Sequence, residues 1–433
     1  MQITNNQITI PATTQTSEAE EGPGYKKTKI GWIPEEWSVT KLKDVATIQT
    51  GIQKGASRTG NNFVELPYLR VANVQDGHLD LTTIKTIKVP SDKVSRYLLQ
   101  NNDVLMTEGG DFDKLGRGTI WKNEIPNCVH QNHVFAVRCN KSLIHPYYLS
   151  SYSSSSKGKD YFVRCSKQTT NLASINSSQL KELPIILPSI SEQLKIVKII
   201  STWDKAIEHR QNLILQLKQR KKGLMQELLT GKTRLKGYSG EWKKVKGADL
   251  FTSRNEKGIN NGEIPLYSLT IEDGVTPKSD RYIREFLVKD VNKKYKVIRP
   301  DDIAFNPANL RWGAIARHKG LYPVLLSPIY EVLKTKKGND IDFITCLVSS
   351  PRQIAIYCTL IEGSLVERMA VKLDAFLSCQ FKMPPKEEQT AIAQILTAAD
   401  NEIKKQQNYL AQLQAQKKGL MQQLLTGQKR VKV

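Results

Sequence analysis

The chain has 433 residues, 39% of them hydrophobic and 24% charged, which suffices for two or three soluble domains with proper cores. Its 64 Lys and Arg against 42 Asp and Glu leave a formal charge of +22. Solubility does not need so much charge of one sign, so a polyanion is the natural partner and nucleic acid the commonest one. No apolar run approaches the roughly 18 residues that span a bilayer, and no basic helix with an aromatic apolar face offers itself to a membrane surface.

Residues 1–24 are polar and acidic, with Ser17-Glu18-Ala19-Glu20-Glu21 in place of the basic start and apolar middle of a signal peptide; they read as a disordered tail. Residues 25–188 consist of short strand-like runs bounded by Gly, Asn, Asp and Pro, with a helical stretch at 144–152, which predicts a globular α+β domain. The pattern changes at residue 189. Ser189 followed by Glu192 is a capping box, and Leu228-Leu229-Thr230-Gly231 ends on a natural helix stop. Between them Ile196, Ile200, Trp203, Ile207, Arg210, Ile214, Leu217, Lys221, Leu224 and Leu228 alternate steps of four and three. That is a heptad seam with two polar breaks, predicting a central coiled-coil helix over 189–236. Residues 237–384 return to short strands with a helical stretch at 342–357, a second α+β domain. Residues 385–433 repeat the seam as Ile392, Leu396, Ala399, Ile403, Gln406, Leu410, Leu413, Lys417, Leu420 and Leu424, stopping at Gly427.

The two helices are one text written twice. Residues 192–231 and 388–427 share 20 of 40 positions at a constant offset of 196, and the LysLysGlyLeuMetGln and LeuLeuThrGly blocks match letter for letter. The domains echo each other more weakly but in order. Gly31-Trp-Ile-Pro-Glu-Glu-Trp37 is answered by Gly237-Tyr-Ser-Gly-Glu-Trp242, Asp103-Val-Leu-Met by Asp302-Ile-Ala-Phe, and Leu115-Gly-Arg-Gly-Thr-Ile by Leu310-Arg-Trp-Gly-Ala-Ile. The helices therefore do one job twice, and the domains do two versions of one job. Two matching seams with a domain between them favour pairing within the chain. If the halves are alike about a twofold axis, the helices lie antiparallel, each about 60 Å long.

A concentrated catalytic site is not found. Cys128, His130, His133 and Cys139 have the composition of a zinc cluster, but Val134, Phe135, Ala136 and Val137 between them read as strand, and residues 326–335 of the second domain hold neither Cys nor His; no metal is expected. The six cysteines form no CxxC and read as reduced thiols of a cytoplasmic protein. Gly231-Lys232-Thr233 ends like a phosphate-binding loop, yet Gln226 stands where its first glycine is required. Asn306-Pro307-Ala308-Asn309 lacks the second proline and the aromatic of an adenine-holding loop and reads as a turn. On its own the chain is not expected to be an enzyme.

The order domain, helix, domain, helix, with Pro188 to Gln193 and Pro384 to Gln389 opening each helix on Glu-Gln, closely resembles the DNA-specificity subunit of type I restriction–modification systems. Gly31 to Trp37 and both LysLysGlyLeuMetGln…LeuLeuThrGly blocks are similar to that family's usual text, and the resemblance covers essentially everything after residue 25. It implies two α+β target-recognition domains separated by two long antiparallel coiled-coil helices with pseudo-twofold symmetry. Each domain would read one half of a split double-stranded DNA target, and the helices would set the spacing. It implies no cofactor in this chain; two modification subunits would supply S-adenosylmethionine chemistry, and restriction/translocase subunits ATP and magnesium. Candidate DNA-contacting groups are Lys54, Arg58, Arg70, Asn73, Lys114, Arg117, Lys167 and Gln168 in the first domain. In the second they are Arg254, Lys257, Lys278, Arg281, Arg311, Arg317 and Arg368, arginine being favoured for its bidentate grip on guanine. Outward-facing Gln211, Lys218, Gln407 and Gln414 are candidates for docking the modification subunits.

The seam yields a test of the spacing role. Four residues inserted in step after Gln216 and Gln412 lengthen each helix by roughly 6 Å, close to two base pairs. Methylome sequencing of cells carrying the variant should show both half-sites unchanged and the unread gap widened by one or two base pairs. An altered half-site with the old gap excludes the helices as the ruler.

Overall fold

In a computed structural model of the chain, residues 23–53, 62–110, 115–168, 173–278, 293–362 and 369–432 are described. The protein divides into two compact units, Met1–His209 with Leu410–Val433, and Arg210–Tyr409. Each unit is an α+β domain with part of both long helices, Ile190–Leu228 and Lys386–Leu425. Among the described residues no helix is long and apolar enough to cross a membrane.

The first unit is built on an antiparallel sheet in the order Ala46–Thr50, Val134–Cys139, Val104–Thr107, Gly118–Ile120. Val104, Met106, Phe135 and Val137 bury themselves against Tyr148, Phe162 and, from the long helices, Ile196, Ile200 and Leu424. The second unit repeats the plan with Phe251–Ser253, Glu331–Thr335, Ile303–Phe305 and Ile315–Arg317. Its core is more aromatic: Phe305 stacks on Phe376 at 4.8 Å, beside Phe251, Phe343 and Phe381, and meets Leu224, Ile392 and Leu396 of the helices. The expected helical stretches at 144–152 and 342–357 appear as Pro146–Ser154 and as Ile341–Val348 with Pro351–Thr359.

The sheets also share one turn. Asn102 and Asp301 adopt positive φ (74° and 69°), and the following Asp103 and Asp302 are buried, each accepting from the main-chain N of the residue three before, Gln100 and Arg299. Each aspartate then takes a two-pronged guanidinium. Arg138 reaches Asp103 at 2.9 and 2.8 Å, and Arg254 reaches Asp302 at 2.5 and 3.0 Å. The aspartates match, but the arginines stand on different strands.

Within each unit the helix segments pair antiparallel. Every apolar seam position is buried or half-buried. The polar breaks are met across the pair: Lys417 binds Asp204 at 2.5 Å in the first unit, and Lys221 binds Asp400 at 2.6 Å in the second. These are the same two repeat positions, since 204 and 400, like 221 and 417, differ by 196. Arg210 and Gln406, also equivalent by offset, bond to one another, and the Arg210 guanidinium lies 4.4 Å from the Tyr409 ring centre.

The Glu-Gln that opens each helix fastens the domain to it. Gln193, fully buried, accepts from His145 N at 2.8 Å and donates to the Leu143 and Pro188 carbonyls. Gln389 likewise accepts from Asp340 N at 2.9 Å and donates to Pro384 O. The capping box forms by half: Ser189 Oγ accepts from Glu192 N, but the Glu192 carboxylate turns away from its own backbone. It accepts instead from Trp37 Nε1 at 3.0 Å and Arg430 Nε at 2.8 Å. In the second unit Glu388 accepts from Trp242 Nε1 at 3.2 Å and from Arg234 Nε and Nη2 at 2.7 and 2.8 Å. Each arginine also lies over the same tryptophan, at 5.5 and 5.8 Å. Both helices stop at left-handed glycines, Gly231 and Gly427, which turn the chain so that the arginine three residues later meets that carboxylate.

Two stability predictions follow from these contacts. Glu388 is completely buried while Arg234 is 26% exposed, so Glu388→Ala should cost roughly 3 kcal/mol, the low end for stranding one partner of a buried pair. Urea unfolding followed by tryptophan fluorescence reads this as a lowered midpoint for the second unit; an unchanged midpoint means that the contact holds nothing. His130 is buried with Nδ1 donating to the Val134 carbonyl at 2.7 Å, and burial pushes its pKa down from 6.5 to about 4. The unfolded chain takes up this proton below about pH 6.5 and the folded chain only near 4. Stability should therefore be lost as pH falls through that window, by up to about 3 kcal/mol, and His130→Asn should flatten that loss in acid titrations of unfolding.

Candidate nucleic-acid interface

The candidate DNA-contacting residues are not equivalent once folded. Lys54, Arg58, Lys114, Arg281 and Arg368 lie outside the described residues. Lys167 and Gln168 form a short strand paired with Ala173–Ser174, which in turn pairs with Gly109–Gly110. Arg117 follows left-handed Gly116, its carbonyl accepts from Thr107 N, and its Nε is buried without a partner. Lys257 is exposed on the strand Lys257–Ile259, and Lys278 is half-buried where its backbone meets Leu266.

Several candidates are spent inside their own domain, which is not the presentation a groove contact requires. Asn73 is 2% exposed: its Oδ1 accepts from Arg70 N, and its Nδ2 donates to the Asp80 and Thr83 carbonyls. Arg70 joins it, donating through Nη2 to Thr83 O at 2.9 Å, so the two residues clamp the loop between 70 and 83. Arg254 is committed to Asp302, and Arg317 bridges Asp301 and Asp342, both at 2.6 Å. A guanidinium already paired on two sides gains little by exchanging those carboxylates for phosphate.

Among the described residues no group of three or more His, Cys, Asp or Glu is placed to hold a metal ion. The imagined zinc residues have separate engagements: His130 with Val134 O, His133 with Glu108, and the Cys128 thiol with Val129 O. Burial pushes the Cys128 and Cys139 thiols up to about 12, too high for ready thiolate chemistry. Asn306 forms the expected turn, its Oδ1 accepting from Ala308 N at 3.1 Å. Gln211, Lys218, Gln407 and Gln414 are exposed on the long helices.

A feature absent from the sequence reading is a cleft of 480 Å³ in the second unit, between the hairpin Tyr267–Thr270/Gly274–Pro277 and the strand Ile315–Arg317. Its rim carries Trp312, 64% exposed beside Arg311, whose guanidinium lies 5.3 Å from the indole centre. The available signal was Trp312 itself, but the LeuGlyArgGly echo sets it opposite Arg117, whereas the sheet register sets it opposite Leu115.

Residues 34–219 match the family described as the type I restriction modification DNA specificity domain. The chain is 28% identical over 444 residues to a putative type I restriction enzyme MjaX specificity subunit of Methanocaldococcus jannaschii, covering 94% of this chain and 97% of that protein. It is 26% identical over 242 residues to the type I restriction enzyme EcoKI specificity subunit of Escherichia coli, covering 52% and 50%. A solved structure reported under complex assembly and conformational transition of the type I R-M system aligns over 92% of this chain and 99% of its own, with a TM-score of 0.56 at 14% identity, a likeness of fold.

Proposed function

We propose that the chain is a type I restriction–modification specificity subunit, the non-catalytic DNA-reading subunit of such a complex, one globular domain serving each half of a bipartite target. The duplicated anchorage carries this reading. Trp37, Glu192 and Arg430 in one unit, and Trp242, Glu388 and Arg234 in the other, fix two different domains to equivalent ends of equivalent helices. Equivalent mounts for divergent domains suit a protein that reads two different sequences. The charge of +22 supplies the sequence-independent phosphate attraction, while base-edge contacts from divergent loops supply the choice.

The reading extends to partners. Methyl transfer from S-adenosylmethionine to adenine is assigned to two modification subunits, and ATP- and magnesium-dependent translocation and cleavage to restriction subunits. The exposed helix residues Gln211, Lys218, Gln407 and Gln414 are proposed docking positions for the modification subunits. Half-sites would be centred about one helical turn, or about 10 base pairs, apart, because readable major-groove faces recur at that interval.

Methylome sequencing of the host with and without this gene tests the function. One split adenine-methylated motif should disappear on deletion, and the purified chain should bind that motif with an affinity that drops at least about a hundredfold between roughly 50 and 200 mM salt. If no such motif is lost, the reading fails.

A further inference from the structure

Among the described residues, the floor of the second unit's cleft has no equivalent chemistry in the first. The shared aspartate turn places the two side by side: Asn102 N donates to Trp121 O and Asp301 N to His318 O, while Trp121 N and His318 N return to the carbonyls of Asp103 and Asp302. His318 therefore stands where the first unit buries Trp121, and by sheet register Arg317 stands where it has Ile120. A polar pair replaces an apolar one at the floor of the cleft.

His318 is 1% exposed and lines the cleft. Its Nε2 lies 2.8 Å from the Tyr322 carbonyl, which can only accept, so Nε2 holds the proton and Nδ1 presents a lone pair. That Nδ1 is buried without a partner, a condition that costs free energy unless a donor arrives. The T-shaped contact with Tyr267, 6.2 Å between ring centres, fixes the imidazole plane. Glu272 and Asp273 add carboxylate acceptors on the lining, and Trp312 offers flat apolar surface. Phosphate is poorly served by this set: Arg317 is already neutralised by Asp301 and Asp342, and exposed Lys319 on the lining faces the opposing charge of Glu272 and Asp273. A planar ring bearing an amino group is served well: it stacks on indole and donates to carboxylate or imidazole.

We propose that this cleft is the specificity-determining subsite of the second unit and takes an amino-bearing base (adenine, cytosine or guanine, but not thymine) of the bound DNA, with Trp312 as the stacking surface. The proposal rests on the DNA-reading function above and goes beyond it by assigning the base class and the residue.

The test uses the full-length chain with its modification subunits and duplexes of the methylome-defined motif. Trp312→Ala should weaken cognate binding about tenfold and relax discrimination at one amino-bearing base position, confined to one half-site, with non-specific binding unchanged; Trp312→Phe should restore most of both. 2-Aminopurine placed at that position should change its fluorescence on binding wild type but not Trp312→Ala. If wild type prefers no split site, the proposed function itself fails. If wild type is specific and Trp312→Ala matches it in affinity and discrimination, only the subsite is overturned. Intact DNA recognition with lost assembly of the modification subunits would make the cleft a protein dock and overturn the proposal, as would saturable binding of free adenosine, cytidine or guanosine that leaves DNA binding untouched.

Discussion

A carboxylate buried at the start of each long helix constrains more of this protein than any other group. Glu192 and Glu388 are 3% and 0% exposed, and a charge removed from water must be met by donors in good geometry or it unfolds its surroundings. The donors come from far apart in the chain. Trp37 and Trp242 directly precede the strands Ser38–Lys41 and Lys243–Lys246 of their domains, while Arg430 and Arg234 follow the ends of the opposite helices. Satisfying one carboxylate therefore positions a domain entrance, a helix start and a helix end together. The left-handed glycines, the glutamine anchors and the antiparallel ion pairs all serve this junction or depend on it. Loops on the far side of the sheets are not bound by it, which is why the helices stay alike while the domains diverge.

What could be read from the sequence followed the reach of each interaction. The heptad seam and helix stops are local patterns, and the repeat at offset 196 declared that they occur twice. The polar breaks at Arg210 and Lys221 were visible as breaks, but the groups that answer them sit on the other helix, and nothing local names Asp400 or Gln406 as partners. The glutamate of Ser189-x-x-Glu192 looked like half of a capping box because that is the short-range use of the pattern; a tryptophan 155 residues away won the carboxylate. Loop cations were the least legible. An arginine in a turn has the same sequence signature whether it faces solvent or, like Arg254, closes on an aspartate 48 residues on. Asn73 was misleading for a related reason: a polar residue in a Gly- and Asp-rich stretch holds a loop shut as readily as it faces outward.

The two units also differ in how their interiors are filled. The first buries Trp121 and Ile120 where the second sets a histidine and an arginine, and the second gathers Phe251, Phe305, Phe381 and Tyr357 around Phe376. Diversification has reached buried layers as well as surface loops, without disturbing the sheet order or the aspartate turn.

The aspartate turn limits how these domains can be recombined. In the first unit the guanidinium that neutralises Asp103 comes from the strand Val134–Cys139; in the second, Arg254 extends the strand Phe251–Ser253. By sheet register Gln49 occupies the place of Arg254, its Nε2 buried without a partner, and exposed Lys334 occupies that of Arg138. A hybrid taking its first strand from one unit and the remaining strands from the other would therefore meet either two guanidiniums at one carboxylate or none. The sheets look interchangeable strand by strand, yet each is an indivisible electrostatic set. Boundaries for exchanging recognition elements consequently belong in the repeated helices, where the same residues recur on both sides of the cut.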